Sequence, residues 1–126
     1  MVILDSSVLV GFLVETDSSH DQAVDCLLQF SSEELFIAEP VFSEVLTVLR
    51  NKGWHDVANA FLAFVSAQGL QMIFGDEEVL MLAVNFFVRF KKLSFVDCTL
   101  MAMAKLERVE MMTFDKALER AWREVA

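Results

Sequence analysis

Short apolar runs alternate along the chain with longer segments in which apolar residues recur at helical spacing. Runs of strand length lie at residues 2–4, 35–37, 70–74 and 109–114. Helical spacing predicts helices over about 8–14, 21–30, 40–52, 55–67, 77–89, 95–107 and 116–124. Short strands that alternate with helices indicate an α/β fold with a mainly parallel sheet. In such a sheet, ligands bind beyond the carboxyl ends of the strands.

Residues that start and stop helices lie at several of these boundaries. Ser6 and Ser7 are suited to cap the first helix, because short hydroxyl side chains accept hydrogen bonds from free backbone N–H groups. Asp76 is suited to cap the fifth helix in the same way. Gly53 and Gly69 are expected to end the helices that precede them.

The size of the chain, 126 residues, predicts one domain over 1–126. Its hydrophobic fraction of 56% argues against long disordered segments, and no apolar run reaches the length of a membrane span. The N-terminus lacks the basic region of a signal peptide, so we expect a soluble, cytoplasmic protein. Cys26 and Cys98 have no zinc-site spacing and are expected to be buried free thiols. Part of the apolar surplus would suit an oligomer interface.

The net charge of −9 is the opposite of what a nucleic-acid-binding protein usually carries. Either the substrate is not a nucleic acid, or metal ions and a local basic patch overcome the repulsion. Lys91, Lys92 and Lys116 are the candidates for contacts with a phosphate backbone. The alternative is that they are solvated cations at helix ends, which is the preferred interpretation for Arg50 and Lys52.

Four acidic residues have positions that suit a metal site, although each also has a structural interpretation. Asp5 and Asp115 follow apolar strands and precede helices, so each could simply cap a helix. Glu44 lies one turn into a helix, where a solvent-facing glutamate is the usual explanation. Asp97 carries the only charge in the segment 94–104, and a carboxylate in so apolar a helix needs a partner or a metal. Stabilisation of the helix dipole is its structural alternative.

Four short motifs follow one another along essentially the whole chain: Leu4-Asp5-Ser6-Ser7-Val8-Leu9, Glu44, Ser94-Phe95-Val96-Asp97 and Thr113-Phe114-Asp115. Their order and intervals resemble the PIN-domain family of nucleases, especially the small single-domain toxins of the VapC type. The resemblance implies a PIN-like three-layer sandwich with a central sheet of four or five short strands. It also implies that the catalytic and metal-binding residues are the four acids, supported by the polar side chains Ser7 and Thr113. Cys98 and Met101 depart from the pattern, since they replace a more usual alanine and a further aspartate.

The resemblance implies an endoribonuclease that cleaves RNA phosphodiesters with one or two ions of Mg²⁺ or Mn²⁺. Hard cations of this kind prefer carboxylate oxygens, and they stabilise the charge that develops during phosphodiester cleavage. The resemblance further implies a toxin that is blocked by a small antitoxin protein and forms a homodimer. A PIN-like module that no longer cleaves RNA and serves in dimerisation or protein binding remains the alternative.

Two other classes of α/β protein fit the sequence less well. A phosphate-accepting receiver domain needs an acidic pair after its first strand and a lysine after a late strand. Here only Asp5 follows the first strand, and the last strand leads to Asp115. A haloacid-type phosphatase needs a second aspartate two residues after the first, where this chain has Ser7.

Overall fold

A computed structural model describes residues 1–68 and 70–126, apart from the side chain of Gln68. The helix end predicted at Gly69 lies outside the described residues. The strands are β1 (Val2–Leu4), β2 (Leu35–Ala38), β3 (Gln71–Ile73) and β4 (Glu110–Met112). The helices are α1 (Ser6–Leu13), α2 (His20–Leu27), α3 (Glu39–Asn51), α4 (His55–Gln68), α5 (Glu77–Arg89), α6 (Phe95–Glu107) and α7 (Lys116–Val125), with a 3₁₀ turn at Ser32–Glu34. None of the helices in these described ranges is long and apolar enough to cross a membrane.

The strands form a parallel sheet in the order β3-β2-β1-β4. Val2 of β1 lies opposite Leu35 on one side and Glu110 on the other. All residues of β1 are buried, as expected for an inner strand that is covered on both faces. The predicted α/β fold with a mainly parallel sheet is confirmed, with four strands in the described part of the chain. Because β1 and β4 are parallel neighbours, their carboxyl ends meet at one edge of the sheet.

Helix α6 forms part of the hydrophobic core. Its residues from Leu100 to Ala104 are fully buried, and so is Cys98. It packs against α5 on one side and also contacts α3, whose buried stripe comprises Val41, Val45 and Leu49. The burial predicted for this helix is therefore found from Leu100 to Ala104, whereas its first turn, which contains Asp97, is only partly buried.

Asp5, rather than either serine, caps the first helix. Helix α1 begins at Ser6, and the side chain of Asp5 accepts a hydrogen bond from the backbone N–H of Ser7 at 3.4 Å. The predicted serine caps are therefore wrong. The physical reason is that the extended backbone of Asp5, with ψ 157°, turns directly into the helix, so that both serines already have helical conformations.

Several elements are shorter than the apolar pattern predicts. Helix α2 ends at Leu27 because the N–H of Phe30 bonds to the Leu27 carbonyl at 3.1 Å, which closes a turn instead of continuing the helix. Strand β3 loses a residue at each end. Strand β4 ends at Met112, because Thr113 and Phe114 leave the sheet and bond to side chains at its edge.

The two cysteines differ in their surroundings. Both are free thiols, but only Cys98 is buried, whereas Cys26 is half-buried. The expectation of burial is therefore wrong for Cys26. It lies on α2, a short surface helix in which Ala23 is the buried residue.

Within residues 1–68 and 70–126, two helices end in the left-handed backbone conformation. Gly53 has φ 76°, and its N–H donates to the Arg50 carbonyl while the N–H of Trp54 donates to the Leu49 carbonyl. These paired bonds form the Schellman motif, which satisfies carbonyls that the end of α3 would leave free. At the end of α6 the same region is occupied by Arg108, with φ 57°. A side chain there is strained, because its Cβ approaches the backbone carbonyl.

Glycine should be favoured at both helix ends, so removing it at one and introducing it at the other should change stability in opposite directions. Gly53→Ala should lower the free energy of unfolding by about 1 kcal/mol, because it introduces a Cβ at positive φ. Arg108→Gly should leave it unchanged or raise it by up to about 1 kcal/mol, because it removes that strain. Urea denaturation followed by circular dichroism measures both. A loss of similar size in both variants would contradict the conformational explanation.

Candidate active site

The carboxyl ends of β1 and β4 surround a buried carboxylate. The N–H of Asp5 donates to the Met112 carbonyl at 2.9 Å, which continues the pairing of the two strands. Asp5 is 4% exposed and is the one buried polar side chain among the described residues. Its Oδ2 accepts hydrogen bonds from Ser7 Oγ at 2.7 Å and Thr113 Oγ1 at 2.8 Å. These bonds offset the cost of burying the charge and fix the orientation of the carboxylate.

The two hydroxyls that hold Asp5 are themselves held by the backbone. The N–H of Phe114 donates to Ser7 Oγ at 3.0 Å, and the N–H of Asp115 donates to Thr113 Oγ1 at 3.0 Å. Each hydroxyl therefore accepts one bond and directs its own proton to Asp5. This arrangement connects the start of α1 with the segment between β4 and α7. A supporting role of Ser7 and Thr113 in a metal site stays a prediction.

Asp115 and Asp97 both lie at the starts of helices. Asp115 is the N-cap of α7, and its Oδ1 accepts a bond from the N–H of Leu118 at 3.0 Å. At the start of α6, Ser94 and Asp97 form a capping box, with two reciprocal bonds of 3.1 Å. Asp115 therefore caps its helix, as its structural interpretation states, and Asp97 stabilises the first turn of α6 through its bonds with the N-cap Ser94. These bonds leave room for a second role, because a carboxylate has two oxygens.

Each of the three aspartates uses one oxygen to bond to the protein. Within residues 1–68 and 70–126, the hydrogen bonds to Asp5 and Asp97 all reach Oδ2, and those to Asp115 reach Oδ1. The second oxygen of each is left for another ligand. Carboxylate oxygens are the ligands that Mg²⁺ and Mn²⁺ prefer. The chemistry of this donor set therefore fits a hard divalent cation.

The charges of the three aspartates interact. Burial raises the pKa of Asp97 above its ordinary value, and the negative charges of Asp5 and Asp115 raise it further. The hydrogen bonds with Ser94 act in the opposite direction and lower this pKa. The negative charges of carboxylates from different parts of the chain therefore repel one another. A cation placed among them would relieve their repulsion.

Glu44 is less closely associated with the aspartates. It lies half-buried on α3, beside the buried stripe of that helix. Among the described residues, the charges that raise the pKa of Asp97 are those of Asp5 and Asp115, and Glu44 is not one of them. In the same ranges, no three acidic, histidine or cysteine side chains are arranged to hold a metal ion as they stand. A site formed by all four acids therefore stays a prediction.

Basic residues gather where the chain passes from α5 to α6. Lys91 and Lys92 line a cavity of about 370 Å³ together with Arg89, Arg120 and the acidic Glu124. Arg89 forms an exposed ion pair with Glu124 at 3.6 Å. The sequence predictions did not include Arg120. Its spacing of four residues from Lys116 offered a signal, since two such positions share one face of a helix.

Comparison with protein families identifies the fold. The model of the PIN domain family matches residues 2–123, and the chain belongs to this family. No protein of curated function matches it in sequence.

Solved structures with the same fold include several toxin proteins. VapC20 from Mycobacterium tuberculosis, described as a toxin that cleaves the sarcin–ricin loop, is 20% identical; the match covers 96% of this chain and 95% of that one, with a TM-score of 0.84. FitAcB from Neisseria gonorrhoeae is 17% identical over 98% and 94% of the chains, with a TM-score of 0.77. A chain of a toxin–antitoxin complex from Klebsiella pneumoniae is 17% identical over 91% and 87%, with a TM-score of 0.69. At these identities the likeness concerns the fold.

The raised pKa of Asp97 predicts how its charge affects stability. The folded protein binds this proton more tightly than the unfolded chain. The resulting stabilisation is complete below the pKa of the unfolded chain and is lost as the pH rises through the folded pKa. Asp97→Asn should therefore raise the melting temperature of the metal-free protein at pH 7 more than at pH 3.5, as measured by thermal denaturation in EDTA. A change that is the same at both pH values would contradict this explanation.

Bound divalent cations should make the charged Asp97 favourable for stability, because they neutralise the repulsion among the aspartates. We expect Mg²⁺ or Mn²⁺ to raise the melting temperature of the wild-type protein and to do so less in Asp97→Asn. Asp76→Asn is the matched control, because Asp76 also caps a helix, with a 3.0 Å bond from the N–H of Val79. Its response to the cations should equal that of the wild type. Equal gains in all three proteins would exclude Asp97 as a ligand.

Proposed function

We propose that this protein is a divalent-metal-dependent endoribonuclease and the toxin of a toxin–antitoxin pair. The observation that carries the proposal is that Asp5 and Asp115, which follow the carboxyl ends of β1 and β4 in a PIN-domain sheet, add their negative charges to the burial that raises the pKa of Asp97. Ligands of open α/β sheets bind beyond such strand ends. Carboxylates grouped there have a chemical use, since their mutual repulsion otherwise costs stability.

In this proposal the three aspartates hold one or two ions of Mg²⁺ or Mn²⁺, with Glu44 as a further ligand. The ion supplies Lewis-acid stabilisation of the charge that develops on the phosphodiester. Ser7 and Thr113 contribute by holding the Asp5 carboxylate in one orientation. Positioning residues of this kind commonly change metal affinity or activity by about 10- to 100-fold when they are removed.

The RNA backbone would contact basic residues near the aspartates. Lys116 directly follows Asp115, and Arg120 lies one turn further along α7 at the cavity shared with Lys91 and Lys92. This local positive patch eases the problem of the overall charge of −9. Screening confines electrostatic effects to roughly 10 Å in ordinary salt, so charges beside the substrate matter more than distant ones.

The similar structures support the toxin assignment. VapC20 is described as a toxin that cleaves the sarcin–ricin loop, and the Klebsiella protein is part of a toxin–antitoxin complex. By analogy we propose that a small antitoxin binds this protein and blocks its site. We also propose a homodimer, because two-fold dimers are the commonest form among soluble oligomers.

The second candidate function is a PIN-like module that binds proteins and no longer cleaves RNA. The observation that favours it is the number of large apolar side chains exposed on α5, including Leu80, Met81 and Val88. Such a surface suits a protein contact whether or not the acidic site is active. The cleavage assay described next separates the two candidates.

Metal-dependent cleavage of RNA is the first test of this function. The wild-type protein should cleave single-stranded RNA in Mn²⁺ or Mg²⁺ and not in excess EDTA. Asp5→Asn and Asp97→Asn should each lower the rate by about 100-fold or more. Glu107→Gln is the control, because Glu107 is exposed at the opposite end of α6 and should leave the rate unchanged. Wild-type protein without activity on RNA in either metal would favour the binding module.

Salt dependence tests the basic patch separately from cleavage. RNA binding is measured with the Asp5→Asn protein in Mn²⁺, so that the RNA stays intact. Lys116→Ala and Arg120→Ala should each reduce the slope of log affinity against log salt concentration by about 0.7, the value for one phosphate contact on a single strand. Arg50→Ala, on α3, should leave the slope unchanged. Unchanged slopes in the α7 variants would exclude them as backbone contacts.

A further inference from the structure

Strand β4 leaves one edge of the sheet open. It is the last strand in the order β3-β2-β1-β4, and within residues 1–68 and 70–126 it pairs with β1 alone. An edge strand presents backbone N–H and carbonyl groups with which another chain can pair, and proline or lysine in the strand often prevents this. Strand β4 contains no proline, lysine or arginine, and its one charged residue is Glu110.

The pairing with β1 identifies the backbone groups that face this open edge. The N–H of Glu110 donates to the Met1 carbonyl at 3.2 Å, and the Met112 carbonyl accepts from the N–H of Asp5 at 2.9 Å. Successive residues of a strand direct their N–H and carbonyl groups to alternate sides, because each peptide unit is planar and trans. Met111 lies between these two residues, so its N–H and its carbonyl both point away from β1.

A cavity of about 370 Å³ lies along the same strand. It is lined by all three residues of β4 and by Thr113 beyond them. The side chains of Met111 and Met112 point to opposite faces of the sheet, so a cavity that touches both residues lies at the edge of the strand. Phe30 and Trp122 add large apolar side chains to its lining. The space beside the Met111 backbone groups can therefore receive an extended chain segment.

The charged side chains that line this cavity are acidic. Glu110 and Glu119 both line it, and both are exposed. In the part of the chain that the structure describes, Glu110 takes part in no ion pair, whereas Glu119 pairs with Arg123 at 2.7 Å. An exposed pair of this kind contributes little to stability and can exchange its partner. The open edge therefore attracts cations, and the net charge of −9 adds a longer-range attraction.

We propose that the open edge of β4 binds an extended cationic peptide segment of another protein. The segment adds a strand to the sheet: the Met111 N–H donates to one of its carbonyls, and the Met111 carbonyl accepts from one of its N–H groups. In strand addition, such main-chain bonds supply the affinity and alternate side chains supply the specificity. Apolar side chains of the segment contact Phe30 and Trp122, and its lysine or arginine side chains pair with Glu110 and Glu119.

The same charges disfavour two other occupants of the edge. A second copy of this chain, paired through its own β4, would double the number of glutamates at the contact, and like charges across paired strands are destabilising. RNA carries a negative charge on each phosphate and would be repelled by Glu110 and Glu119. A cationic peptide is the occupant that the two glutamates attract.

Binding of short peptides tests the proposal directly. The probe is a fluorescein-labelled pentapeptide of alternating lysine and valine, measured by fluorescence anisotropy in EDTA and without RNA. We expect a dissociation constant on the order of 100 μM. The same peptide with every backbone N–H methylated should bind at least about 10-fold more weakly, because it cannot donate to the Met111 carbonyl. A peptide of alternating glutamate and valine should bind as weakly.

Two outcomes of this assay would overturn the proposal. One is no binding of the cationic peptide at concentrations up to about 1 mM. The other is equal binding of the cationic peptide and its methylated form, because main-chain bonds would then contribute nothing. Since the assay requires neither RNA nor a metal, its result is independent of the nuclease proposal.

Replacements in the protein locate the binding. Glu110→Lys should raise the dissociation constant of the cationic peptide by about 10-fold, because it replaces an attraction at the strand by a repulsion. Asp56→Lys is the matched control: it changes the net charge equally, and Asp56 is exposed on α4. Asp97→Asn, at the candidate active site, should leave the affinity unchanged. Circular dichroism verifies the fold of each variant. Equal losses in Glu110→Lys and Asp56→Lys, or a loss only in Asp97→Asn, would refute binding at this edge.

Amide hydrogen exchange tests whether the peptide adds a strand. The N–H of Thr113 follows the Met112 carbonyl, which bonds to β1, so it points to the open edge like that of Met111. Saturating peptide should slow the exchange of both N–H groups by about 10-fold. The Glu110 N–H, already bonded to β1, should change less. Unchanged exchange at Met111 with the peptide bound would contradict strand addition. Slowing that depends on protein concentration without peptide would assign the edge to a second copy and equally refute the proposal.

Discussion

The buried carboxylate of Asp5 is the constraint on which the site depends. A charge that is 4% exposed needs hydrogen-bond partners, and Ser7 and Thr113 supply them from two sides. Thr113 can reach Asp5 only because β4 pairs with β1 in register. The position of the edge of the sheet, the start of α1 and the segment before α7 are therefore determined together. The geometry of the candidate site therefore depends on how the buried strands pair.

Much of the fold follows from local patterns, because the spacing of apolar residues and the residues at helix ends act over a few positions. The order of strands and helices and the burial of α6 could be predicted in this way. Features that depend on contacts between residues far apart in the sequence could not be predicted from these local patterns. The early end of β4 requires knowing that Thr113 bonds to Asp5, and the orientation of Glu44 depends on how α3 packs. The exposed side of α5 is equally hidden, since apolar residues have the same spacing whether a core or a second chain covers them.

The net negative charge of the chain argues less strongly against RNA binding when the positions of the individual charges are considered. A total of −9 describes the field at a distance, where salt screens it. Near the candidate site the aspartates lie close to Lys116, and a group of cations lines the cavity between α7 and the end of α5. In the proposed function, the aspartates hold a cation and these bases contact the phosphate chain. Net charge is a poor guide to function when the charges are sorted in this way.

Two of the aspartates that suit a metal, Asp5 and Asp115, are also the N-caps of helices α1 and α7. A lost helix cap typically costs about 0.5–2 kcal/mol, a large part of the margin by which a small domain stays folded. Selection would therefore maintain these residues twice, once for chemistry and once for the integrity of the chain. A lineage that no longer needed cleavage would still be slow to lose them. Replacement of one of these aspartates would first lower the amount of folded protein in the cell, and a screen that scores only survival would attribute that loss to catalysis.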